Sequence, residues 1–103
     1  MKTKIESATD VTKLEDIPNI GREIAKDLRE LGIEAPTQLA GRDPYEMYGR
    51  LCAQTGIRHD PCALDTFIAA VRFMEGGPRL PWYAYTAERK RRVAADKLRE
   101  AQV

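Results

Sequence analysis

Apolar residues recur at helical spacing along most of this chain, and Gly or Pro breaks the pattern at short intervals. Val11, Leu14 and Ile17 lie three apart, with Asp10 placed to cap a helix over VTKLEDI. Pro18 then drives Ile17 away from helical geometry, so that helix stops by Asp16 or Ile17. Asn19 and Gly21 are residue types that tolerate the positive φ of a tight turn. Ile24, Leu28 and Leu31, with Ala25 beside them, predict a second helix ending at Gly32. Residues 14–33 thus read as two helices at a sharp angle, with Ile17 and Ile20 pointing inward from the turn.

Further along, Ile33 and Leu39 anchor a turn containing Pro36 and a short helix ending near Gly41. Asp43-Pro44 and Asp60-Pro61 are both strong helix starts, because Asp accepts free amides and proline at the first position has none to satisfy. The first of these helices carries Tyr45, Tyr48, Leu51 and Cys52 inward and stops at Gly56. The second, with Ala63, Leu64, Phe67, Ile68, Val71 and Met74, is the most apolar in the chain and is predicted as the central core helix, ending at Gly76-Gly77-Pro78. PRLPWYAY predicts an extended strap. A final helix from Thr86 has Glu88 and Arg92 four apart but only a thin apolar stripe of Val93, Leu98 and Ala101. No alternating strand pattern persists. The expectation is an all-α fold, a compact bundle of about five helices, with residues 1–9 disordered, a helical domain over 10–78, and a strap with a basic C-terminal helix over 79–103.

A length of 103 residues allows one domain with a modest core. No apolar run reaches membrane-spanning length, and Met1 to Asp10 lacks the apolar centre of a secretory signal, so a cytoplasmic, non-membrane protein with two reduced thiols is expected. The formal net charge of +1 conceals an asymmetry. Residues 1–78 carry 10 basic and 13 acidic side chains, whereas residues 79–103 carry 7 and 3. A DNA partner would therefore need the tail as well as the hairpin.

The start of the second hairpin helix offers unpaired amides and the positive end of a helix dipole, an arrangement that suits a phosphate. The amides of Asn19, Ile20, Gly21 and Arg22 are the candidate donors, with Arg22 and Lys26 adding charge from the same side. Such contacts read no bases, so binding would be sequence-independent and salt-sensitive. Glu23 and Asp27 on the neighbouring strip oppose it. Trp82 beside Arg89, Lys90, Arg91 and Arg92 is a candidate auxiliary surface for stacking and phosphate contact, against the plainer reading of a solvated helix face and an aromatic covering the core edge.

Cys52, His59 and Cys62, with Asp60 adjacent, invite a metal reading, but the set lacks a fourth ligand and a close cysteine pair, and both thiols fall on apolar helix faces. No metal or cofactor is expected. Nor is catalysis: His59 has no base-orienting pattern around it, and there is no phosphate loop or isolated carboxylate pair.

At Ile17, Pro18, Asn19, Ile20, Gly21, Ala25 and Leu28 the sequence resembles the helix-hairpin-helix family of DNA-binding motifs, with Asn19 standing where that family usually has Gly. Over a wider stretch, through LEDIPNIGREIAKDL, GRDPYEMYGRLC and HDPCALDTFIAAVRF, it is similar to the small pathogenicity-locus proteins, some of them labelled mitomycin-resistance proteins. The resemblance implies a helical, SAM-domain-like fold, bacterial origin, DNA association in a genome-maintenance or stress setting, and no known reaction. The rival reading is a protein-interaction adaptor in which the same hairpin, or the strap, docks on a partner.

Overall fold

The computed structural model describes residues 5–101. Its regular structure among those residues is wholly helical: α1 (Arg22–Glu30), α2 (Pro44–Thr55), α3 (Pro61–Met74) and α4 (Thr86–Ala101), joined through four short 3-10 turns. Among the described residues there are four helices rather than about five, because the candidates over 11–17 and ending near Gly41 are each a short 3-10 turn. Over 11–17 only Leu14–Asp16 is helical, and it is 3-10. Asp10 does not cap it; its carboxylate folds back onto the amides of Glu6 and Ser7, and Val11 is extended. Asp16 likewise takes the amides of Thr12 and Lys13, and Pro18 prevents any further turn. The segment ending near Gly41 is a 3-10 turn over Pro36–Leu39.

α3 is the centre of the molecule, as its composition predicts. Phe67, Ala70, Val71, Phe73 and Met74 face one cluster shared with Leu14, Ile17, Leu28, Ile33, Leu39, Met47 and Leu51. Leu64, Ile68 and Ala69 face a second, smaller cluster with Tyr85. A helix buried on both sides needs apolar residues all round, which α3 has at every position from Phe67 to Val71. On α2 the fully buried residues are Met47 and Leu51, while Tyr45, Tyr48 and Cys52 are half-buried on its flank.

Helix ends follow the predicted chemistry. Asp43 accepts from the Tyr45 and Glu46 amides, and Asp60 from the Cys62 amide. α1 closes with Ile33 N–H donating to Leu28 O and Gly32 N–H to Arg29 O, Gly32 taking φ +87°. α3 repeats the motif through Gly76 and Gly77, where a Cβ on Gly77 would meet Arg72 O at 2.7 Å.

Two segments differ from expectation. Disorder does not extend over Ile5 to Thr9: Ile5 and Ala8 pack against the main cluster, while residues 1–4 lie outside the described residues. The strap is not extended throughout, since Trp82–Tyr85 forms a 3-10 turn that runs straight into α4 and buries Tyr85. The strap and the base of α4 therefore belong to the same packed unit as residues 10–78. Past Asp96 the described side chains of α4 are exposed, Leu98 by 66%, and the helix gives the molecule its elongated extents of 54 × 27 × 21 Å.

Candidate nucleic-acid interface

The turn before α1 is set by Ile17-Pro18-Asn19-Ile20. Ile20 N–H donates to Ile17 O at 3.0 Å and Asn19 has φ +73°, the geometry of a type II turn with proline second. This corrects one expectation: the Ile20 amide is engaged inside the turn and cannot serve a phosphate. Gly21 is the N-cap, extended at φ −92° and ψ −171°, and no side chain caps the helix. The first internal bond runs from Ala25 N–H to Gly21 O, so the amides at the very start of α1 face outward without an intrahelical acceptor. Glycine is not demanded there by packing or φ, since an added Cβ would meet nothing within 4 Å.

Arg22 and Lys26 are exposed and make no ion pair among the described residues. Arg29, the next basic residue on that side, is held away by Glu15, Nη1 to Oε2 at 3.0 Å and Nη2 to Oε1 at 2.9 Å, which ties α1 to the preceding turn. The Arg29 pair also holds the Glu15 carboxyl below the usual carboxylate range. Asp27 is half-buried, and burial raises its carboxyl above the ordinary value, with Glu30 and Glu23 pushing the same way and His59 and Lys26 opposing.

The Asn19 carboxamide, which could have blocked the turn, is directed across the molecule. Its Nδ2 donates to Leu80 O at 2.8 Å, and its Oδ1 accepts from Trp82 N–H at 3.2 Å. The hairpin and the strap are thereby brought together. A cleft of about 280 Å³ remains between them, lined by Pro18, Asn19, Arg79, Leu80 and Pro81. Beside it the half-buried Trp82 meets Tyr83 edge-on, centroids 5.6 Å apart, and Tyr83 is 64% exposed.

The basic run divides. Arg89 turns inward, its Nε 2.9 Å from Oδ1 of the fully buried Asp65, which also accepts from Thr86 Oγ1 at 2.7 Å. Arg92 lies over the Tyr45 ring at 4.5 Å and pairs with Asp96. The expectation that Arg89 joins an outer basic surface is thus corrected, because it neutralises a buried acid. Arg92 is partly committed in the same way. Lys90 and Arg91 stay exposed, and no hydrogen bond or ion pair among the described residues joins them to the hairpin. Asp65 escaped the sequence reading. Its one signal was a lone carboxylate in the run ALDTFIAAV, five residues from the nearest helix start.

Around the thiols, Thr55 Oγ1 lies 2.8 Å from His59 Nε2, the His59 amide points at Cys52 Sγ at 3.5 Å, and Tyr48 donates to the His59 carbonyl. Asp60 raises the Cys62 thiol through their hydrogen bond, with burial adding to it. Among the described residues no three His, Cys, Asp or Glu side chains converge as metal ligands.

A family model described as Cdd1, pathogenicity locus, matches residues 7–91. The chain belongs to that family. It is also 43% identical over 90 residues to the mitomycin resistance protein McrB of Streptomyces lavendulae, covering 87% of this chain and 86% of the relative. No solved structure matches. The pathogenicity-locus match ends at Arg91, two residues past the Asp65 partner, so the family's extent includes the strap and the docked base of α4.

Proposed function

We propose that this pathogenicity-locus protein is a non-catalytic, sequence-independent DNA-binding protein that holds a phosphate at the start of α1. In this reading residues 14–30 are a helix-hairpin-helix motif whose first helix is reduced to one 3-10 turn, within a SAM-domain-like arrangement. The carrying observation is Gly21, an N-cap glycine that neither φ nor packing requires and that leaves the α1 amides bare beside the unpaired Arg22 and Lys26. The donors are the amides of Gly21 and the residues after it, with Asn19 shaping the turn. Lys90 and Arg91 on α4 add charge. A mitomycin-resistance relative supports placing the activity in DNA repair or stress resistance.

The test is retention on duplex DNA at low salt. Arg22→Glu with Lys26→Glu is expected to abolish retention while leaving helical content unchanged. Undiminished retention by that variant removes the site and favours the adaptor reading, in which the same hairpin docks on a protein.

A further inference from the structure

We propose that the cleft between the hairpin turn and the strap receives an unpaired nucleobase, so that the protein prefers single-stranded or locally opened DNA to continuous duplex. The inference rests on the phosphate reading and names the kind of DNA that site takes.

The cleft is built rather than left over. Asn19 bonds both Leu80 O and Trp82 N–H, which fixes the strap against the turn before any ligand arrives. It is lined by Pro18, Asn19, Arg79, Leu80 and Pro81, and about 280 Å³ is just below the usual range of ligand sites, room for one flat heterocycle rather than a folded partner. Rigid proline rings lose no freedom when a planar group lies against them.

Charge selects the occupant. Among the described residues Arg79 is the one ionic group in the lining, and it makes no ion pair, only a bond from Nη1 to Ile5 O at 2.6 Å. A guanidinium plane held at its edge can stack on a base or reach its hydrogen-bonding edge. Among the described residues no carboxylate lines the cleft, which counts against a basic peptide.

Continuity argues for a nucleotide strand. Pro18 and Asn19 line the cleft, and Gly21 opens the anion-seeking end of α1 two residues later, so at most about 7 Å separates the Asn19 and Gly21 Cα atoms. A phosphate and the base attached near it span such a distance. Next along the strap, outside the cleft lining, stand Trp82 and the exposed Tyr83, whose rings offer a platform for the next base. A base paired in duplex cannot enter a cleft without leaving its stack.

Trp82 is the only tryptophan and its backbone is fastened to Asn19, a lining residue, so its fluorescence reports on the strap next to the cleft. Three probes of equal phosphate count are compared at low salt: an oligothymidylate of about 12 nucleotides, an abasic strand, and a duplex. The oligothymidylate should shift Trp82 emission and bind about tenfold tighter than either of the others. Arg79→Lys keeps the charge and removes the planar group, and should bring that ratio down toward unity. A ratio that stays tenfold in this variant overturns the cleft assignment. Equal, measurable affinity of the natural protein for all three probes also overturns it and leaves the phosphate site standing, whereas no binding to any probe overturns the phosphate site as well.

Discussion

Gly21 is the residue at which fold and proposed function pull in different directions. An N-cap carboxylate satisfies the amides that Gly21 leaves bare and also complements the helix dipole. Gly21→Asp is therefore expected to raise stability by a few tenths of a kcal/mol, a rise of about 1–3 °C in Tm. The same carboxylate occupies and repels at the phosphate position, so DNA affinity should fall by about tenfold or more. Higher Tm with unchanged affinity would place the DNA contact elsewhere. At Asp27 the folded protein holds the proton more tightly than the unfolded chain, because burial raises the carboxyl above its ordinary value of 3.8. The sign follows: the native state is penalised as pH climbs through the folded value, and the penalty is absent below about pH 3.8. Asp27→Asn should accordingly be more stable than the natural protein at neutral pH, with the advantage vanishing in acid, as followed by urea midpoints across a pH series. A pH-independent difference would mean that the carboxylate's charge is not what burial opposes.

At the scale of elements, α4 is held by polar contacts rather than by an apolar stripe: the buried Asp65–Arg89 pair, with the Arg72–Glu88 pair and Arg92 over Tyr45 nearer the surface. Asp65 is fully buried and Arg89 nearly so, 15% exposed, so removing the arginine strands a charge. Arg89→Ala should cost about 3–5 kcal/mol in urea denaturation and speed amide exchange in the strap and α4. Replacing both partners together, Asp65→Leu with Arg89→Met, should recover most of that loss, since desolvation offsets much of the pair's attraction. This ion pair also marks where the sequence stops being legible. α1, α2 and α3 begin and end where Asp-Pro, Pro18 and glycine place them, because capping is a local interaction between neighbours in the chain. The N-terminal turns depart from the expected helix because the Asp10 and Asp16 carboxylates satisfy amides behind them as readily as ahead, and local pattern does not decide between the two. Asn19 is the harder case. Its αL turn is local and readable, but its bonds to Leu80 and Trp82 join residues more than 60 positions apart, and no periodicity encodes them. The cleft those bonds create, and the inward turn of Arg89, were invisible for the same reason.

The whole molecule carries its charges apart, an acidic body and a basic end, and only some of the basic end is free to act. Of the run 89–92, Arg89 is buried against Asp65 and Arg92 is shared between Tyr45 and Asp96, so Lys90 and Arg91 join the hairpin's Arg22 and Lys26 as the four cations proposed to meet phosphates, with Arg79 set apart at the cleft. Four such contacts imply a slope of log affinity against log salt near −3.6, a fall of about 10²-fold between 50 and 200 mM. Lys90→Gln with Arg91→Gln should flatten that slope by about two units on duplex DNA without changing the fold, because both side chains are exposed. The paired replacement of Asp65 and Arg89 should leave the slope where it was, since an arginine already neutralised inside the protein releases no counterions from DNA. If instead removing Lys90 and Arg91 leaves the slope intact, the helix does not reach the duplex and the hairpin binds alone; if removing the Asp65–Arg89 pair flattens it, α4 must be held in its docked position for its outer charges to meet the phosphates.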